Sequence, residues 1–309
     1  METQGQKNDG ALLTAFVKNH DDSAFAVVVQ RHAMMVLSVC RRVVVSRQDA
    51  EDAAQAVFLT LAKKAGSLIG SETVAPWLHH VAYLISINAW KARRSRMERE
   101  RKAGEDMDKF ASSDQSDNVE LNQLLVCEME AMPEKYRRAL ILFHLEEQTL
   151  EDVARQCETS VGTAGSWLSR GRELLRKRLV RRGVTVSAAA LVGLLSAEAG
   201  ATPPDFVNTA VTAASAFAAG TVATCNTAIS TKIIIMAKGA TKMMFYAKMK
   251  LVAMLILLGI IGTTELIHAQ DPKTVKIFIS KEGKADIAGT VLSPTTMGFT
   301  TMGFNKKSL

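Results

Sequence analysis

Residues 149–179 read TLEDVARQCETSVGTAGSWLSRGRELLRKRL. Leu150, Val153, Ala154 and Cys157 fall on one face of a short helix. Ala164, Leu168, Leu175 and Leu179 fall on one face of a second. The polar break between them ends at Ser160, whose hydroxyl suits the N-cap of the second helix. Ala154 is small, as a position must be where a second helix crosses closely over the first. Gly162, Ala164, Gly165 and Ser166 give the second helix little surface bulk, and Arg170, Arg172, Arg176, Lys177 and Arg178 follow. Two short helices with a turn of three to four residues, small at the crossing and basic on the second helix, form the helix-turn-helix pattern. The small residues let backbone amides approach phosphates, and the arginines hold the duplex backbone. A helical hairpin with a charged surface satisfies the same spacing, so the rest of the chain has to decide.

The chain has 309 residues and a net charge of +7, with the two signs unevenly spread. Residues 91–102, KARRSRMERERK, hold seven basic and two acidic side chains; residues 170–182 hold seven basic and one acidic. A solvated helix face explains either run alone. Two runs, each following an apolar helical segment, point to a polyanion and counterion release. Cys40, Cys127, Cys157 and Cys225 are far apart and form no CxxC pair, so neither a zinc site nor a disulfide framework is expected. The opening METQGQKNDG is polar, unlike a signal peptide.

Composition divides the chain. Residues 11–102 are dense in helix formers with helical apolar spacing. Residues 103–118 are acidic and Ser/Asp-rich and read as a flexible linker. Residues 119–183 are helical again. Residues 184–250 form an Ala-rich, then Lys-containing, juxtamembrane segment, broken at Pro203-Pro204. Leu251 to Thr264 carries no charge, and the stretch extends to Ala269 with Glu265 near its far end. A span needs roughly 20 apolar residues; Lys248 and Lys250 lengthen the near end by snorkelling. The lysines before it place residues 1–250 in the cytoplasm, 251–269 as a single transmembrane helix, and 270–309 as a short extracytoplasmic tail. That tail ends in a tandem TTMGF at 295–299 and 300–304. The fold class expected is all-α: two helical domains, a linker, and an apolar C-terminal extension.

Residues 129–182 contain MPEKYRRAL, TLEDVA, SVGT and SRGRELLR. Together these resemble region 4, the promoter-binding domain, of bacterial extracytoplasmic-function sigma factors of the sigma-70 family. DDSAFAVVVQRHAMMVLSVCRRVV, DAEDAAQAVFLTL and WLHHVAYLISINAWKARRSR resemble region 2 in the same order. The resemblance spans about residues 11–182. It implies a specificity subunit with core RNA polymerase (its clamp and flap regions) and promoter DNA as partners. An anti-sigma or other regulatory protein is a further partner it allows. On region 2 it implies a polymerase-docking edge of Asp49, Glu51, Asp52 and Gln55 with an apolar anchor of Val57, Phe58 and Leu61. On the next helix it implies capture of the single strand at the −10 element by Trp77, His80, Tyr83, Asn88, Trp90, Arg93, Arg94 and Arg96. Bases stack on rings while cations track phosphates, at about 1–3 kcal/mol per stacked base. On the helix-turn-helix it implies −35 contacts from Ser160, Thr163, Gly165, Ser166, Trp167, Ser169, Arg170 and Arg172. Many relatives carry basic residues at the positions of Gly165 and Trp167, and Arg-Asn at Tyr83-Leu84, so the resemblance implies the role without fixing the promoter sequence. The tail is similar to a membrane-anchored subgroup of the family.

A membrane-tethered one-component regulator that binds duplex DNA without polymerase has the same second half. It has no use for an acidic docking edge followed by strand-capturing aromatics over 49–90. Enzymatic activity is not expected. His79-His80 has no partnering cysteines, His20, His32, His144 and His268 are scattered, and there is no Gly-rich phosphate loop or nucleophile–base set. No metal and no cofactor are implied.

Overall fold

Side-chain caps set where the helices begin. Asn8 accepts a hydrogen bond from the Ala11 amide at 2.8 Å, Asp21 from Ser23 and Ala24, and Ser46 from Asp49. These open α1 (Asp9–Asn19), α2 (Asp22–Val43) and α3 (Arg47–Lys64). The computed structural model describes residues 8–102, 113–196, 202–219 and 232–239, with two short strands at Phe278–Ile279 and Ala285–Asp286. α4 (Ala75–Lys102) completes the first bundle, which packs Phe25, Val28, Val36, Leu37, Leu59, Leu61, Leu78 and Ile85 into a dry core. α2 is long and apolar enough to cross a membrane. Two thirds of its most apolar window is buried, as in the core helix of a globular bundle. The first turn of α1 rests on the loop before α4: Gly10 donates to the Ser71 carbonyl at 2.9 Å and Asp9 to Glu72 at 3.1 Å. A Cβ at Gly10 would stand 2.4 Å from the Ile69 carbonyl oxygen, which requires glycine there.

The second bundle comprises α5 (Ser113–Glu130), α6 (Glu134–Leu140), a π-helical turn (Ile141–Leu145), α7 (Leu150–Gln156) and α8 (Val161–Arg181). Leu125, Met129, Leu140, Val153, Ala164, Leu168, Leu175 and Leu179 are buried at its centre. α5 takes in residues 113–118, which the sequence assigned to the linker; Ser113 to Asn118 are helical here. Residues 103–112 lie outside the described residues.

The extension contributes further helices. Residues 184–250 were read as a juxtamembrane segment, yet they contain α9 (Ala188–Ser196), α10 (Phe206–Ala218) and a helical stretch at 232–239. Leu191, Leu195, Phe206, Ala210, Ala213, Ala214, Ile233 and Ala237 are buried. Phe206, Ala210, Ala213, Ala214 and Phe217 recur at helical spacing, and that stripe explains the packing. The predicted span 251–269 and the TTMGF repeats lie outside the described residues. In the second compact unit, 249–309, Phe278 pairs with Asp286 and Ile279 with Ala285 in an antiparallel ladder.

Candidate functional site

The helix-turn-helix forms as its sequence dictates. Thr149 accepts from the Asp152 amide at 3.2 Å and Ser160 from the Thr163 amide at 3.2 Å, capping α7 and α8. The turn closes with Thr159 donating to the Ala154 carbonyl at 2.9 Å and Glu158 in the left-handed region at φ 53°. Ala154 and Ala164 are buried at the crossing, as the sequence requires. Gly162 has open space around it, and a Cβ at Gly165 would make only ordinary contact with Leu150 at 3.7 Å. The glycine most closely packed on this helix is Gly171, which went unremarked in the sequence: there a Cβ would come within 3.3 Å of the Leu140 side chain on α6.

The basic run on α8 divides by environment. Ser169 and Arg170 are exposed, while Thr163, Gly165, Ser166 and Trp167 are half-buried, the indole resting against the core. Arg172 is drawn inward, donating to His144 Nε2 at 3.1 Å with its guanidinium 5.7 Å from the Phe143 ring centroid. Burial, then the Arg172 charge, lowers His144 to about 4, so it is a neutral acceptor at pH 7. Arg176 pairs with Glu173 at 2.9 Å, and Arg178 and Arg182 with Glu128 at 3.4 and 2.9 Å.

On α4, Arg93, Arg94 and Arg96 are exposed, and Trp90 is half-buried under the Arg94 guanidinium at 5.5 Å. Trp77 and Asn88 are half-buried. His80 and Tyr83 face α5. The Glu130 carboxylate takes His80 Nδ1 at 2.8 Å and His79 Nδ1 at 2.7 Å, and the Tyr83 hydroxyl donates to Cys127 Sγ at 3.7 Å. Burial would raise Glu130; the bonds from His79 and His80 overcome it and hold the carboxyl at about 2. Two of the eight residues expected to meet single-stranded DNA thus contact the second bundle in this structure.

The acidic edge of α3 is also occupied. Asp49 pairs with Arg93 at 3.0 Å and with Lys232, and Lys232 reaches Asp52 at 2.9 Å. Burial would raise the Asp49 carboxyl; hydrogen bonds from Lys232 and Arg93 lower it. Glu51 pairs with Arg47 at 3.1 Å, and Gln55 is half-buried. Val57, Phe58 and Leu61, expected as an apolar anchor, are fully buried. The Phe58 ring meets Phe206 of α10 edge-on, with centroids 6.1 Å apart.

The histidines read as surface or satisfied core residues fit that account where they are described. His32 is buried between Asp9 at 2.9 Å and Glu146 at 3.0 Å. His20 is in the left-handed C-cap of α1, and His268 is outside the described residues. Among the described residues no cluster of His, Cys, Asp and Glu suits a metal ion.

Two family models match the chain: Sigma-70 region 2 over residues 28–96, and Sigma-70, region 4 over residues 122–175. The first covers α2 to α4 and the second α5 to α8. Similar proteins include the ECF RNA polymerase sigma factor SigW of Bacillus subtilis, 25% identical over 173 residues, spanning 53% of this chain and 92% of that protein. The RNA polymerase sigma-H factor of Pseudomonas aeruginosa is 29% identical over 173 residues, 53% of this chain and 90% of its own. The ECF RNA polymerase sigma-E factor of Haemophilus influenzae is 28% identical over 184 residues, 56% of this chain and 96% of its own.

Proposed function

We propose that this chain, which belongs to the extracytoplasmic-function group of the sigma-70 family, serves as a dissociable specificity subunit that brings core RNA polymerase to promoters and starts transcription. It carries no chemistry of its own in this reading. The observation that carries it is the order of parts on one chain: an acidic edge on α3, an aromatic and arginine-rich α4, then a capped helix-turn-helix. Asp49, Glu51, Asp52 and Gln55 form the polymerase edge. α4 takes the opened −10 strand through rings and arginines. α8 enters the −35 duplex, with Ser169 and Arg170 as its most exposed contacts.

Competition for core polymerase tests this. Asp52→Ala with Gln55→Ala should weaken association several-fold and abolish run-off transcription, while binding of duplex −35 DNA stays unchanged. Unaltered association would remove the docking role and leave a duplex-binding regulator.

The same reading puts 1–250 in the cytoplasm and 251–269 in the inner membrane. An uncharged run preceded by lysines supports it. Glu265 sits near the far end, where a charge costs far less than the roughly 2.5–3.5 kcal/mol of the bilayer centre. Fractionation decides: the full chain should sediment with membranes and resist high salt, and recovery in the soluble fraction would sink the tether.

A further inference from the structure

We infer that α10 and the 232–239 helix form an intramolecular cover over the edge of α3 that receives core polymerase, so that the extension and polymerase compete for one surface. The inference rests on the docking role given to α3 above. It assigns to the extension a regulatory task that the family models, which stop at residue 175, do not reach.

Burial on α3 gives the first argument. A surface helix buries one stripe and leaves the opposite face wet. On α3 every residue from Ala56 to Ala62 is buried, and seven consecutive residues of a helix pass almost twice around its circumference. The α2 and α4 side alone cannot do this; α10 closes the remainder. Phe206 supplies a ring against Phe58, and Ala210, Ala213 and Ala214 are small enough to let the helices approach. The rim is polar and complementary. Ser215 Oγ donates to Asp22 at 2.6 Å, and the Lys63 ammonium stands 5.5 Å from the Phe217 ring centroid.

Charge gives the second argument, independent of the first. Lys232 bridges Asp49 and Asp52, two of the four polar residues assigned to polymerase. A basic side chain from a partner cannot take those carboxylates while Lys232 holds them. α9 adds a hold on both bundles: it packs against α8 and the π-helical turn, and Arg42 of α2 donates to the Leu195 carbonyl at 3.1 Å while Leu191 and Leu195 are buried. The extension thus keeps the chain in a form that presents little of its docking edge. A change in the tail that pulls the extension away would release it.

Full-length protein tests the cover with two substitutions outside the docking edge. Lys232 is 47% exposed, so Lys232→Glu leaves the core intact and turns the bridge into repulsion. It should raise affinity for core polymerase roughly fivefold at low salt, with the gain shrinking at high salt. Phe206→Ala, checked for retained helicity by circular dichroism, should raise it roughly tenfold and speed amide exchange along α3. Gln55→Ala is the control on the docking role itself. If Gln55→Ala weakens binding while both other variants bind as wild type does, the cover is a permanent part of the bundle and the inference is overturned, with the docking role intact. If wild type, Lys232→Glu and Phe206→Ala all fail to bind polymerase, the docking role falls and the inference with it.

Discussion

Arg170 and Arg172 are two positions apart on α8 and look equivalent as sequence, yet their surroundings assign them different work. Arg170 is exposed; Arg172 is half-buried against His144 and Phe143. A phosphate contact releases counterions, and each one adds about 0.9 to the slope of log affinity against log salt. Arg170→Ala should therefore lower that slope by about one for duplex −35 DNA of any sequence. Arg172→Ala should leave the slope nearly unchanged and instead destabilise the second bundle, by about 1–3 kcal/mol, because it strips a partner from buried His144. Titrations at several salt concentrations, beside urea denaturation, separate the two. Equal slopes lost in both variants would mean that Arg172 leaves its pocket to meet DNA.

At the scale of elements, His32 ties α2 to the N-terminus of α1 and to the segment after the π-helical turn. Burial would lower its pKa, but the Glu146 carboxylate and the hydrogen bonds to Asp9 and Glu146 outweigh that and push it up to about 9. A raised value in the fold, against about 6.5 unfolded, means the stabilisation is complete below pH 6.5 and is lost as pH rises through about 9. The midpoint of thermal unfolding should fall between pH 7 and 9.5, and His32→Gln should flatten that fall; a profile that is flat in the wild type would refute it. Nothing in the sequence links His32 to Glu146, since the bond joins positions far apart in the chain, and local patterns carry no such information. Patterns did reveal what is local: the cap Ser160, the small crossing at Ala154, and the apolar stripes of α7 and α8. The stripe of α10 is equally local, with Phe206, Ala210, Ala213 and Phe217 at helical spacing, but an alanine-rich run just before a lysine cluster and an uncharged stretch also suits a segment beside a membrane. Phe58, read as part of an apolar anchor, lies against Phe206 of α10, again a partner distant in sequence.

Over the whole molecule, the two matched regions touch: His80 of α4 shares Glu130 of α5 at 2.8 Å, and Tyr83 reaches Cys127. The assignments of α4 and α8 to DNA then acquire a ruler. The −10 and −35 elements lie about 25 base pairs apart, and at about 3.4 Å per pair that is roughly 85 Å of duplex. Bundles joined at that contact cannot lay α4 on one address and α8 on the other so far apart, so occupying both requires the bundles to separate. DNA bearing one address gives no return for that separation. DNA bearing both makes the second attachment intramolecular, at a local concentration set by the tether between the bundles. The contact at Glu130 would thereby turn promoter recognition into a bivalent measurement of spacing: the closed chain discounts lone half-sites, and the distance between elements joins their sequences as part of what is read.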